Sequence, residues 1–495
     1  MEDFNTFLLA GSALLLVAVV AVRLASRTGL PALLIYLAVG LVVGDAGLGV
    51  RFADYDLTAE LGLVALALIL AEGGLTTRWS VVRPVLPFAT VLATLGVAVS
   101  VIVVAGLAHL VLGVELRTAV ILGSVVASTD AAAVFSVLRR LPLKGRLGAA
   151  LEAESGLNDA PVVVLVVLAS SDAWWRTSPL MALGTVLLEL GGGALLGVVV
   201  GRLGRELLAR AALSAAGLYP LATVALCLLA FASGQALHVS GFLSVYLAAL
   251  VLGNSPLPHR RAVLGFASST ALLAEAGLFM LLGLLVVPSR LLDSVPEALF
   301  IGATATFLAR PLAVVVSALP FRLPWREQAF LSWAGLRGAV PIVIATIPIT
   351  EGLAGAEQVL DVVFVLVVVY TVVQAPTLPW LGRRLGVVEA GQALDVEVET
   401  APLDEMGADL LQVRVGPGFR LHGVYLEELR LPPGAHVTLV VRDGQGLVPR
   451  QHTQFVTGDQ LLVVATTGVR DAAEARLRAV ARGGKLARWQ GEQGS

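Results

Sequence analysis

Gly335-Leu336-Arg337-Gly338-Ala339-Val340-Pro341 stands in the middle of an otherwise apolar stretch, residues 327–350. A spanning helix needs about 20 predominantly apolar residues, and this stretch has the length without the regularity. Pro341 removes a backbone donor and crowds the preceding turn, while Gly335 and Gly338 weaken a helix. Arg337 is charged at mid-membrane depth, where an arginine costs about 3 kcal/mol on insertion scales. Backbone that leaves the helix inside a bilayer survives only when buried in protein or beside a watery cavity. The stretch therefore predicts a broken spanning helix that lines a site.

Outward from it, most of the chain reads as membrane. The 495 residues are 57% apolar and 14% charged, with a mean hydropathy of +0.87, against about 25% charged in a soluble domain. The charge is uneven, with 25 charged residues in 386–495 and 45 in the first 385. The expected organisation is a transmembrane domain at 1–385, a linker at 386–400, a cytosolic domain at 401–483 and a short tail at 484–495. A net charge of −2 excludes the basic footprint of a nucleic-acid binder. The single Cys227 excludes a disulfide framework and a cysteine metal cluster. Six scattered histidines without HExxH argue against a zinc site, and no resident cofactor is expected.

The fold class is an all-α polytopic membrane protein with a small α+β cytosolic domain. Apolar stretches predict 13 spans, at 6–25, 30–49, 59–76, 85–112, 117–138, 148–171, 180–201, 215–237, 240–253, 264–288, 294–319, 327–350 and 357–381. Acidic residues precede the first span and Arg23 and Arg27 follow it, so it reads as a retained helix rather than a signal peptide. The loops after odd-numbered spans hold 15 arginines and lysines, among them Arg78, Arg83, Arg139, Arg140, Lys144 and Arg146. The alternate loops hold only Arg51, Arg117, Arg176 and Arg290. Basic loops stay in the cytoplasm, which places the N-terminus outside and the C-terminal domain in the cytosol of a cell whose inner membrane carries the protein.

An internal repeat is visible. Leu70-Ala71-Glu72-Gly73-Gly74-Leu75 in span 3 is answered by Leu273-Ala274-Glu275-Ala276-Gly277-Leu278 in span 10. Tyr36 to Asp45 in span 2 is answered by Tyr246 to Asn254 in span 9. Both pairs lie seven spans apart, an odd number, so spans 1–6 and 8–13 form inverted copies, the construction of secondary transporters. The same offset pairs span 12 with span 5, whose centre reads Gly123-Ser124-Val125-Val126-Ala127-Ser128-Thr129-Asp130. Two broken, crossing helices would bring opposed dipole ends and free carbonyls to one small-ion site.

Span 6 carries Glu152, Glu154, Ser155, Asn158, Asp159 and Pro161. Ser155 and Asp159 are four residues apart and share a helix face; Glu154 and Asn158 form the adjacent stripe. With Thr129 and Asp130 they make an oxygen-rich cage suited to a hard cation. Arg337 reads as a structural partner, bridging either to Glu154 or to the carbonyls of a broken helix. One arginine does not balance all the acids, so Asp159 is left to take a proton or a cation in turn, the minimal device for cation/proton exchange. Glu72 and Glu275 either support helix packing or lie beside an aqueous funnel.

Four stretches resemble the NhaP-type monovalent cation:proton antiporters: Ser128-Thr-Asp130-Ala-Ala-Ala-Val-Phe, Glu154-Ser-Gly-Leu-Asn158-Asp159, His238-Val-Ser-Gly-Phe-Leu-Ser-Val-Tyr-Leu, and Leu331-Ser-Trp-Ala-Gly-Leu-Arg337-Gly-Ala-Val-Pro341. The resemblance covers the whole membrane part. It implies a homodimer in the bilayer whose core bundle moves as an elevator. It also implies cation ligation by Asp159, Thr129 and Asp130 with Ser155 and Asn158 beside them, a Glu154–Arg337 ion pair, and electroneutral exchange for an Asn-Asp motif. Glu72 stands where potassium-handling relatives usually carry Asp, and Glu275 replaces a more common neutral residue.

In the tail, Leu410–Val415, His436–Arg442 and Asp459–Ala465 read as strands. Gly423–Leu429 and 469–482 read as helices, and Asp443-Gly444 as a hairpin turn. The β-α-β-β-β-α order and the Thr457-Gly458-Asp459 turn resemble the C-terminal lobe of potassium-conductance regulator domains (TrkA-C, or RCK-C). That resemblance implies dimerisation and a small anionic ligand of nucleotide type. The function expected is K⁺/H⁺ antiport, with Na⁺(Li⁺)/H⁺ antiport as the alternative and a ligand-gated K⁺ efflux channel as a further one. Enzymatic activity is not expected, since the chain lacks the Gly-x-Gly-Asp of an intramembrane aspartyl protease.

Overall fold

The computed structural model describes residues 32–130, 143, 146–388 and 399–483, apart from 45–46, 48, 50–53, 177, 212, 404–407, 417–418, 443 and 467, together with four positions between 12 and 20. But for those four positions the predicted first span, 6–25, lies outside the described residues, as does 131–138 of the fifth. The chain packs as two units, 1–388 and 389–495, and each is treated by itself.

The first unit is helical. In chain order its elements are α1 (Ala32–Val43), α2 (Tyr55–Thr76), α3 (Leu86–Leu112), α4 (Leu116–Ala127), α5 (Leu147–Ser170), α6 (Pro179–Arg210), α7 (Leu218–Ala236), α8 (Gly241–Gly253), α9 (Arg260–Leu285), α10 (Pro288–Phe321), α11 (Trp325–Trp333), α12 (Ala339–Thr350) and α13 (Ala356–Leu385). Eight of them among the described residues are long and apolar enough to cross a membrane: α2, α3, α5, α6, α7, α9, α10 and α13. The helices α1, α4, α8 and α12 are apolar but shorter. Local signals set their ends. Asp54 accepts the Leu57 N–H at 2.9 Å to start α2, and Ser178 with Pro179 behind it starts α6, the usual N-terminal chemistry. Gly386, at φ +69°, ends α13 in the left-handed cap that favours glycine.

Helix α1 packs on α9, and α8 packs on α2. Both contacts depend on small residues. A Cβ on Gly40 would come within 2.1 Å of the Met280 carbonyl oxygen, and one on Gly253 within 2.2 Å of that of Leu75. Close backbone approach of this kind replaces the hydrophobic drive that lipid does not supply. Helices α3 and α10 each contain one π-helical turn, Leu92–Gly96 and Ala305–Ala309, and each turn packs against the other helix. Helix α5 is largely enclosed by its neighbours, whereas α6 lies at the periphery with most of its apolar side chains exposed.

Two interruptions lie at the centre. Helix α4 stops at Ala127 and the chain continues extended through Ser128. Helix α11 stops at Trp333, and 334–338 are non-helical before α12 begins. The break in this span is therefore made by residues 334–338, which include Gly335 and Gly338 as the sequence suggested, and does not lie at Pro341. Pro341 is the third residue of α12, where its missing N–H is one that a first helical turn leaves unused.

The second unit has a five-stranded antiparallel sheet in the order β1-β2-β5-β3-β4. Its strands are β1 (Glu399–Leu403), β2 (Ala408–Arg414), β3 (Ala435–Arg442), β4 (Gln445–Leu447) and β5 (Gln460–Thr466), with helices α14 (Leu426–Leu429) and α15 (Arg470–Gly483). Strand β1, which spans the expected boundary between linker and domain at 400/401 and is not among the strands read from the sequence, adds to the edge of β2. Leu411, Val413, Leu461, Val463, Leu477 and Val480 form the core beneath α15. Asp459, fully buried, is held by Arg442 through two 2.8 Å bonds and by the Val456 N–H at 2.9 Å. Burial opposes ionisation of this carboxyl, but the Arg442 and Val456 bonds outweigh it and hold the pKa below the ordinary value. Because the native state binds this proton less readily than the unfolded chain, the resulting stability is present above about pH 4 and is lost as pH falls through the depressed value. Asp459→Asn is expected to destabilise the second unit by about 1.5–3 kcal/mol at neutral pH and to remove part of its acid sensitivity. Hydrogen exchange of β5 in the full chain would measure both.

Candidate ion-binding site

The broken segments of spans 5 and 12 cross and cap one another. The Asp130 N–H donates to the Leu336 carbonyl at 2.9 Å, and Asp130 Oδ2 accepts the Ala339 N–H at 2.9 Å. The first residue of α12 is thus covered by a carboxylate, where the helix dipole favours one. In return, Arg337 Nε donates at 2.9 Å to the Val126 carbonyl in the last turn of α4, where a cation is favoured. Its guanidinium also reaches Thr306 Oγ1 at 3.3 Å, in the π-helical turn of α10, and Thr371 Oγ1 donates to the Arg337 carbonyl at 2.8 Å. Gly338 is required by contact. A Cβ there would lie 1.8 Å from Asp130 Oδ2.

Helix α5 presents its polar face to this crossing. Ser128 Oγ donates to Asp159 Oδ1 at 2.8 Å. Asn158 Nδ2 donates to Thr129 Oγ1 at 2.6 Å and to Glu154 Oε1 at 3.1 Å, and the Thr129 and Ser155 hydroxyls are 3.1 Å apart. All of these residues are at least 96% buried. The amide orientation follows from Glu154, which accepts and does not donate when ionised, so the Asn158 nitrogen must face it. That leaves Asn158 Oδ1 buried with no hydrogen-bond partner among the described residues. An unused carbonyl oxygen beside two hydroxyls and a carboxylate is the donor set for an alkali cation.

The ion pair differs from the expected one. Glu154 is held by Arg310 of α10, with Nη1 to Oε1 at 2.8 Å and Nη2 to Oε2 at 3.0 Å, and not by Arg337. The reason is reach. Arg337 is tied to the Val126 carbonyl of α4, while Arg310 follows the π-helical turn of α10 and runs alongside Gly335, where a Cβ would sit 2.9 Å from Nε. Sequence reading missed Arg310, although it is the one basic residue inside span 11 and the same intramembrane test that singled out Arg337 would have found it. Among the described residues Asp159 has no arginine within ion-pair distance.

The other two acids are elsewhere. Glu72 of α2 accepts from Ser268 Oγ at 2.9 Å and is half-buried. Glu275 of α9 is also half-buried.

The transmembrane sodium/hydrogen exchanger family matches residues 13–384, most of the chain. The chain belongs to this family. The TrkA-C domain matches residues 410–478, as the order of strands and helices in the tail suggested. The chain is 36% identical over 477 residues to the K(+)/H(+) antiporter NhaP of Alkalimonas amylolytica, covering 94% of this chain and 82% of that protein. It is 36% identical over 473 residues to the K(+)/H(+) antiporter NhaP2 of Shewanella oneidensis, with the same coverage. A Synechocystis protein named Na(+)/H(+) antiporter NhaS2 is 31% identical over 361 residues, 70% of this chain and 66% of that one. The fold is similar to that of the sodium proton antiporter MjNhaP1 from Methanocaldococcus jannaschii, with a TM-score of 0.67 at 20% identity over 78% of this chain and 99% of that chain.

Removing one partner of a buried pair costs about 3–5 kcal/mol, far more than removing both. Arg310→Met is therefore expected to lower the thermal stability of the exchanger domain strongly, and Glu154→Gln combined with it to recover most of the loss. Arg337→Met with Glu154→Gln should show no such recovery. Thermal unfolding in detergent of the wild type, the three single variants and the two double variants, read as two double-mutant cycles, checks the pairing.

Proposed function

We propose that this exchanger carries out K⁺/H⁺ antiport, with a cation and a proton competing for Asp159. The observation that carries the reading is the isolation of Asp159. It is buried beside unused oxygen donors, and the buried arginines are committed to Glu154 and to α4. A proton on Asp159 removes the negative charge that an alkali cation needs, and a bound cation leaves no reason for the proton to stay. Thr129, Ser155, Asn158 and Asp130 are the further members of the site, Asp130 chiefly as the cap of α12. Glu154 and Arg310 act as a fixed pair that orients Asn158.

Exchange of one charge for one charge would be indifferent to membrane voltage, which otherwise acts with about 2.3 kcal/mol per charge per 100 mV. K⁺ is preferred over Na⁺ because the relatives that match 94% of the chain, tail included, are named K⁺/H⁺ antiporters. Inverted repeats over spans 1–6 and 8–13 of a 13-span domain are supported by two pairs of contacts. Under the repeat, α1 on α9 becomes α8 on α2, and the π-helical turn of α3 corresponds to that of α10. Alternating access by an elevator movement of a homodimer, an outward N-terminus and a cytosolic tail that binds a small anionic regulator complete the reading.

Asp159→Asn is expected to abolish K⁺-driven proton movement in proteoliposomes, by more than 100-fold in rate. The wild type should need more K⁺ for half-maximal rate at lower pH, since the proton competes. Stopping dye-reported proton flux with valinomycin-clamped voltage would contradict electroneutrality, and full exchange by the Asn variant would remove Asp159 from the mechanism.

A further inference from the structure

Seven residues before Asp159, and so on the same face of α5 two turns away, lies Glu152, a rise of about 10 Å. No step in the exchange described above uses it. Its surroundings are built. Thr77, at the end of α2, directs its hydroxyl to Glu152 Oε1 and also lies 2.6 Å from the Gly73 carbonyl. A hydroxyl has one proton to give, and a carbonyl only accepts. The one Thr77 proton is therefore shared between the Gly73 carbonyl and Glu152 Oε1, and a carboxyl that carries its own proton can donate it to Thr77 instead.

Two further observations point the same way. The Tyr246 ring of α8 lies flat against α5 at Gly156, between Glu152 and Asp159. A Cβ on Gly156 would meet the ring at 2.7 Å. The Tyr246 hydroxyl is buried beside Glu152 and Thr77. The charged neighbour is Glu72 of α2; Arg78 and Arg83 flank the short helix Trp79–Val82, which packs on α5. This is the side of the molecule whose loops carry the arginines.

We propose that Glu152 is a proton-carrying relay carboxyl, the group through which protons from the arginine-rich side reach Asp159. The inference rests on the antiport reading. In the forward step the Glu152 carboxyl releases its proton to a water molecule on the Asp159 side. A proton passes from water to Asp159 as the cation leaves, and Glu152 is reprotonated from solvent on its own side. Proton number and charge balance at each transfer. Thr77 and Tyr246 position the carboxyl, and Gly156 leaves room for the ring that walls the path.

Glu152→Gln keeps the size and the hydrogen bond to Thr77 and removes the exchangeable proton. In proteoliposomes it is expected to slow pH-gradient-driven exchange at least 10-fold and move its optimum to lower pH. Isotopic K⁺/K⁺ exchange, which needs no proton, should stay within 2-fold of wild type. Glu152→Asp should recover a substantial part of the lost rate. In infrared spectra at neutral pH the Gln variant should lose a protonated-carboxyl C=O band present in the wild type. Two results would overturn the proposal: unchanged proton-coupled rate and pH profile in Glu152→Gln, or equal loss of K⁺/K⁺ exchange, which would make Glu152 a structural or cation-binding residue. Wild type that shows K⁺/K⁺ exchange but no proton coupling would instead defeat the antiport reading itself, and the two failures are thereby distinguished.

Discussion

The structure depends on a reciprocal capping of two interrupted helices. Asp130, from the segment that follows α4, covers the exposed N–H at the start of α12, and Arg337, from the segment that precedes α12, covers the carbonyl end of α4. Each break alone would leave backbone groups without partners in a medium that offers no water, at a cost of several kcal/mol per group. Together they satisfy one another, and each charge lies at the helix end whose dipole welcomes it. The crossing is therefore a single unit. Gly338 marks how closely it is fitted, since the Asp130 carboxylate occupies the place of its absent side chain.

From that unit follows the distribution of charge that makes exchange feasible. Arg337 is consumed by backbone, so Glu154 needs another cation and finds Arg310, delivered from α10 just beyond its π-helical turn. The Glu154–Arg310 pair in turn fixes Asn158, whose amide donates to both Glu154 and Thr129 and turns its carbonyl oxygen toward the unfilled side. Asp159 is the acid left over. A buried carboxylate with no fixed counter-charge is unstable as an anion, and on the proposed reading a mobile cation or a proton completes it.

Helix α5 carries this arrangement across much of the membrane. Its enclosed position gives every polar residue on it a protein neighbour, and the neighbours differ by level: the crossing at Asp159, α10 at Glu154, and α2 with α8 at Glu152. One helix thus carries both the cluster around Asp159 and Glu152, with glycine at position 156 where the Tyr246 ring packs between them.

The sequence by itself determined the membrane character, the position of nearly every helix, the two interruptions, the acidic face of α5 and the order of elements in the tail. These are local properties: hydropathy over 20 residues, i to i+4 spacing, glycine and proline at breaks, alternation in strands. It also found Asp130 and Arg337, because a charge inside an apolar stretch is conspicuous. Tertiary structure alone decided which charge meets which. Arg310 lies in α10 and Arg337, 27 residues on, in the non-helical segment before α12, and only the reach of each side chain across the crossing assigns one to Glu154 and the other to a carbonyl. The same holds for the role of Pro341, which is harmless in a first turn, and for strand β1, whose pairing with β2 depends on an open sheet edge rather than on any pattern of its own. Pairing is a matter of distance in space, which helical spacing within one segment does not encode.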